Sequence, residues 1–108
     1  MKIKKILRER KRYIVFDTLS EGKVNINELK NLIISTCIKV LGEIEFAKAN
    51  MQILKIDEKG GIIKVSNNKL NEVKFALSLL KKINNTNIMI ICKKVCGTLK
   101  KAKRIKGE

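Results

Sequence analysis

Residues 50–66 read NMQILKIDEKGGIIKVS, and the fold turns on them. Two runs rich in β-branched residues flank EKGG, whose glycines can supply the positive backbone angles of a tight turn, so the stretch predicts a β-hairpin. In its second strand Ile63 and Val65 are expected to face inward and Lys64 outward, because successive side chains alternate. The preceding segment, NINELKNLIISTCIKVLG (25–42), has Asn25 and Glu28 at capping-box spacing and Gly42 where a C-terminal cap belongs. Leu29, Leu32, Ile33, Thr36, Cys37, Val40 and Leu41 recur at helical spacing between them. EIEFAKA (43–49) is expected to be a short linker. After the hairpin, Asn68 is expected to cap a second helix carrying Leu70, Val73, Ala76, Leu77, Leu80 and Ile83 on one side. NNTN (84–87) then breaks it, since short polar side chains compete for backbone hydrogen bonds.

Further out, RYIVFDTLS (12–20) reads as a first strand apolar on both faces, and IMIICKKV (88–95) as the last strand. TLKKAKRI can form a short final helix with Thr98 as its N-cap. The order strand, helix, strand, strand, helix, strand predicts an α/β (α+β) sandwich, ferredoxin-like and RRM-like: βαββαβ with two helices on one face of a four-stranded antiparallel sheet. The other face is expected to stay open, with Tyr13, Val15 and Lys64 at its middle on the two central strands.

The 108 residues fit a single domain, 1–108, that buries roughly 65% of its unfolded surface. No window approaches the roughly 18 apolar residues of a membrane helix, and the basic start lacks the apolar core of a secretory signal. The expectation is a cytoplasmic protein with no membrane partner. Cys37, Cys92 and Cys96 form an odd set that argues against a disulfide framework. With no histidine in the chain there is no completed metal-ligand set and no Ser-His or Cys-His nucleophile. No catalytic residue and no bound metal or cofactor is expected.

The net charge of +15 is concentrated at the ends. Residues 1–12 carry seven basic side chains against Glu9, and residues 93–108 carry seven against Glu108, a net of +6 at each end. Such ends attract polyanions, and release of condensed counterions makes nucleic acid the partner that gains most. The candidate RNA-binding residues are Arg8, Arg10, Lys11 and Arg12 on a basic N-terminal arm (1–12), and Tyr13 and Lys64 on the sheet. Lys93, Lys94, Thr98, Lys100, Lys101, Lys103 and Arg104 follow at the end of the last strand and on the basic C-terminal helix (98–106). Leu99, Ala102 and Ile105 share one side of that helix, leaving Lys100, Lys101 and Arg104 to face out. Thr98 either caps its own helix or helps present free N–H groups to a phosphate. Ile34 with Ile38, and Phe75 with Leu79, lie beyond the core stripes of their helices: they widen the buried stripe or form a protein interface.

Three functions fit this pattern. The third strand has no aromatic, which weakens an RNA-recognition motif that stacks bases. A ligand-sensing ACT-like module has no use for two polycationic ends. Gly60-Gly61 lacks the strand-to-helix setting of a phosphate loop. What remains is contact with phosphates and RNA shape, without a code for bases. A ribosome-associated or single-strand RNA-binding protein of RRM-like fold stays as an alternative beside the ACT-like module.

LRERKRYIVF (7–16), GEIEFAKANMQILKID (42–57), GIIKVS followed by a helix, and VCGTLKKAKR (95–104) together resemble the archaeal ribonuclease P protein component 2 family, the counterpart of a eukaryotic Pop-type subunit. The resemblance runs in order from about residue 7 to residue 104. Cys96 departs from the serine expected before Gly-Thr, so no hydroxyl is available there to touch RNA. The resemblance implies a ferredoxin-like subunit that binds the catalytic domain of ribonuclease P RNA. In that enzyme the RNA, using Mg2+, removes the 5′ leader from precursor tRNA. It also implies a protein partner, the TIM-barrel-like ribonuclease P protein component 3, in a heterotetramer with two copies of each.

Overall fold

The computed structural model describes residues 10–83 and 85–107. Its hairpin joins β2 (Gln52–Asp57) to β3 (Gly60–Ser66), with Asp57 pairing Gly60 across a turn of Glu58 and Lys59. Asp57 makes the turn: its Oδ1 accepts from the Lys59 N–H at 2.8 Å and the Gly60 N–H at 3.0 Å. The two glycines therefore follow the turn residues rather than occupy them; Gly60 supplies the expected positive angle, at φ 151, and Gly61 does not. They are the first residues of β3, where neighbouring backbones leave no room for a side chain. A Cβ on Gly60 would stand 2.1 Å from the Phe16 carbonyl oxygen, and one on Gly61 2.1 Å from that of Lys55.

Around the hairpin run β1 (Lys11–Ser20), α1 (Ile26–Leu41), α2 (Glu43–Ala49), α3 (Leu70–Ser78), β4 (Lys82–Ile83), β5 (Thr86–Cys96) and α4 (Leu99–Ile105). The sheet order is β2-β3-β1-β5-β4, antiparallel at every pairing. The four long strands thus take the ferredoxin-like arrangement, with β1 and β3 interior. β4 is an added fifth strand, paired through Ile83 and Thr86 in a small hairpin with Asn85 at φ 67, a region asparagine tolerates. α3 accordingly stops at Ser78, and Ile83 belongs to β4 rather than to the helix.

At α1 the cap is as read: the Asn25 side chain accepts from the Glu28 N–H, and Gly42 closes the helix with φ 85. Gly42 also redirects the chain into α2, so EIEFAKA is a helix and not a linker. Its Ala49 is fully buried. Glu45 of α2 reaches Lys69 at 3.4 Å and Lys48 at 3.5 Å, and the hydrogen bond from Lys69, then the charge of Lys48, hold its carboxyl below the usual range. Asn68 does not cap α3. It lies in a 3-10 turn (Asn67–Lys69), and Lys69 precedes the helix without a side-chain cap bond.

Two apolar layers flank the sheet. The larger packs Ile14, Phe16, Ile63, Val65 and Ile90 against Leu29, Ile33 and Cys37 of α1 and Val73 and Leu77 of α3. The smaller lies on the opposite face, where Val15, Ile62, Cys96 and Ala102 are buried with Tyr13, Leu99 and Ile105 packed around them. α4 thus caps the part of the expected open face around Val15, which is fully buried rather than exposed, while the part of the same face around Leu19, Met89 and Ile91 stays exposed. The reason is physical: a seven-residue helix does not stand alone in water. Its apolar side takes up the one sheet surface α1 and α3 leave free, where half-burying a Leu or Ile stabilises by about 1 kcal/mol. Among the described residues no helix is long and apolar enough to cross a membrane.

Candidate nucleic-acid interface

α4 is fixed at both ends. At its start the Thr98 hydroxyl accepts from the Lys101 N–H at 3.3 Å, so Thr98 caps its own helix. At its end Lys106, only 11% exposed in its side chain, places Nζ 3.3 Å from Asp17 Oδ1 and 3.4 Å from the Phe16 carbonyl oxygen. A bulge in β5 supplies a second cation. Val15 pairs with Lys94 and Phe16 with Cys92, so Lys93 is the extra residue, and its Nζ lies 3.4 Å from Asp17 Oδ2. Asp17 thereby binds two lysines. Neither Asp17 nor Lys106 is legible in the sequence as a site residue, because Asp17 lies within β1, outside both basic ends, and meets the two lysines only through the fold.

Two hollows flank α4, and their charge differs. One, of about 380 Å³, is lined by Lys59, Lys93 and Lys106 together with Asp17 and Glu58, so its cations face carboxylates. The other, of about 350 Å³, lies between α4 and the end of β5. Lys94, Lys101 and Arg104 line it with Val95, Cys96, Gly97 and Ile105, and no carboxylate does. Lys100 and Lys103 are exposed on the same helix.

The register Tyr13 to Cys96 sets the start of β1 beside the end of β5. Arg10, Lys11 and Arg12, just before Tyr13, therefore lie at the end of the sheet where β5 runs into α4. Arg10 is exposed there, and Lys11 and Arg12 are half-buried, with Arg12 Nη1 donating to the Lys11 carbonyl at 2.9 Å. Lys64 pairs with Tyr13, and both are half-buried on the capped face. Packed around the α4 cluster, Tyr13 is poorly presented for base stacking. Arg8 and the rest of the arm to residue 9 lie outside the described residues.

On the helical layer Phe75 and Leu79 are 58% and 46% exposed, whereas Ile34 and Ile38 are half-buried. The sequence reading missed a second exposed apolar group, Leu19 with its register partner Met89, and Ile91 opposite Asp17. All three cysteines are free, and burial pushes the Cys37 thiol up to about 11 and raises that of Cys92 against a smaller opposing effect of Lys74. Among the described residues no group of three or more His, Cys, Asp or Glu is placed to hold a metal.

Comparison with known proteins adds the following. The profile of the Rpp14/Pop5 family matches residues 12–105. The chain is 40% identical over 100 residues to ribonuclease P protein component 2 of Pyrococcus furiosus, covering 91% of this chain and 83% of that one. To the protein of the same name from Saccharolobus solfataricus it is 37% identical over 109 residues, covering 99% and 76%. With that of Methanocaldococcus jannaschii the identity is 34% over 97 residues, covering 90% and 72%. In three dimensions it is similar to a chain in the cryo-EM structure of yeast ribonuclease MRP, with a TM-score of 0.67 at 10% identity, covering 93% and 88%. That last likeness is one of fold.

Proposed function

The chain belongs to the Rpp14/Pop5 family, and from that premise we propose that it is the component 2 protein subunit of ribonuclease P. In this reading it is a non-catalytic RNA-binding protein that supports the catalytic RNA in removing the 5′ leader from precursor tRNA. The observation that carries it is the 40% identity, across 91% of this chain, to a protein of that name. Surface chemistry agrees with such a role, since cations with no carboxylate among them, gathered from α4 and the end of β5, suit phosphates without reading bases. The RNA meets α4 and the neighbouring start of β1, and the Mg2+ of the reaction belongs with that RNA.

The protein partner in this reading is ribonuclease P protein component 3, in a heterotetramer with two copies of each. It covers the helical layer, where Phe75 and Leu79 present more apolar surface than the core uses. The complex works in the cytoplasm. Cleavage of precursor tRNA by ribonuclease P RNA and component 3, with and without this chain, tests the function. Addition is expected to raise the rate and lower the magnesium requirement; no change in either would sink the reading. Phe75→Asp with Leu79→Asp is expected to abolish co-assembly with component 3 by native mass measurement while lowering the thermal midpoint only modestly, since about half of each side chain is already exposed. Retained assembly would place the partner elsewhere.

A further inference from the structure

Gly97 has no structural reason to be glycine. Its φ is not positive, and a Cβ built on it meets nothing within 4 Å. That contrasts with Gly60 and Gly61, where a Cβ would collide with a backbone oxygen. Glycine is otherwise favoured where backbone must approach a ligand closely, and it loses more freedom on folding than any other residue. Gly97 lines the hollow that Lys94, Lys101 and Arg104 share, and none of these three makes an ion pair with any described residue. Like charges gathered from two elements around a bare stretch of main chain repel one another, and an anion among them relieves that repulsion.

We infer that Gly97 and the three cations form one seat for an RNA backbone phosphate. Gly97 lets the sugar-phosphate chain lie against the protein main chain, and Lys94, Lys101 and Arg104 close on it from β5 and α4. This rests on the RNA-binding reading above and goes beyond it by making a residue without a charge a determinant of affinity. The outward lysines Lys100 and Lys103 then act only as diffuse charge.

The test is filter binding of the full chain to a transcript of its cognate ribonuclease P RNA over a series of salt concentrations. Gly97→Ala and Gly97→Val are expected to keep or raise the thermal midpoint, because the space is open and the backbone conformation ordinary. Both are expected to weaken binding, valine by roughly tenfold and alanine by less, with the salt slope shallower by about one contact. Arg104→Ala is expected to flatten the slope similarly and to add little to Gly97→Val, since both act on one phosphate. Equal affinity and slope for wild type and both Gly97 variants would remove the seat while leaving RNA binding intact. A wild-type chain with no salt-dependent affinity for the transcript would remove the broader reading instead.

Discussion

Asp17→Asn isolates what holds α4 on the sheet. Asp17 accepts from Lys106 at 3.3 Å and faces Lys93 at 3.4 Å. An exposed ion pair contributes about 0–1 kcal/mol, and breaking a buried one costs about 3–5 kcal/mol. Lys106 stands nearer the buried limit, at 11% side-chain exposure, and Asp17 and Lys93 nearer the surface limit, at 34% and 51%. A lysine stem can also swing its ammonium to water, and the Phe16 carbonyl still accepts from it. The loss then comes to about 1.4 kcal/mol, a tenfold change in the equilibrium between docked and undocked helix. Hydrogen exchange reads this directly: amides of α4 are expected to exchange about tenfold faster in Asp17→Asn, while those of β3 change far less. Raising the salt should narrow the difference between the proteins, because screening weakens the pair in the wild type. Equal α4 exchange in both proteins would refute the latch and leave the apolar contacts of Leu99, Ala102 and Ile105 as the whole of the docking.

Gly61→Ala is expected to destabilise by about 3 kcal/mol in urea unfolding, the upper range for overpacking, because its Cβ falls on a backbone oxygen that cannot rotate away; a loss under about 0.5 kcal/mol would show that β2 separates freely. The Cys37 thiol titrates near 11 in the fold against an ordinary 9.0. A raised folded value means its contribution is complete below pH 9 and is lost as pH climbs toward 11, by about 3 kcal/mol at the top of that window. Urea midpoints of wild type and Cys37→Ala should therefore converge between pH 9 and 10.5, and parallel curves would contradict the burial argument.

Local periodicity carried most of the fold, as α1 with its Asn25 cap and the alternation of β1 show. Its failures are instructive. EIEFAKA contains no proline and has Gly42 in front of it, so it forms a helix as readily as a linker. The glycines of EKGG suggested a turn, yet the constraint on them comes from β1 and β2, which sequence proximity does not reveal. Leu99, Ala102 and Ile105 were visible as an apolar stripe, but their partners Val15 and Ile62 sit far away in the chain. For the candidate site, the charges were legible as charges. Which were balanced was not, since Lys93 and Lys106 meet Asp17 only through a bulge and a docked helix.

The register of β1 with β5 has a kinetic consequence. It pairs Ser20 with Ile88 and Tyr13 with Cys96, so the chain must close very long loops before either pairing returns any free energy, a feature of slow folders. The hairpin of β2 and β3 is local and can form early. α4 has no surface to settle on until β3, β1 and β5 lie side by side, and Lys94, Lys101 and Arg104 converge only once it has settled. A chain caught midway carries all of its positive charge but not this arrangement of it, so under the proposed function a folded RNA partner would tell finished molecules from unfinished ones.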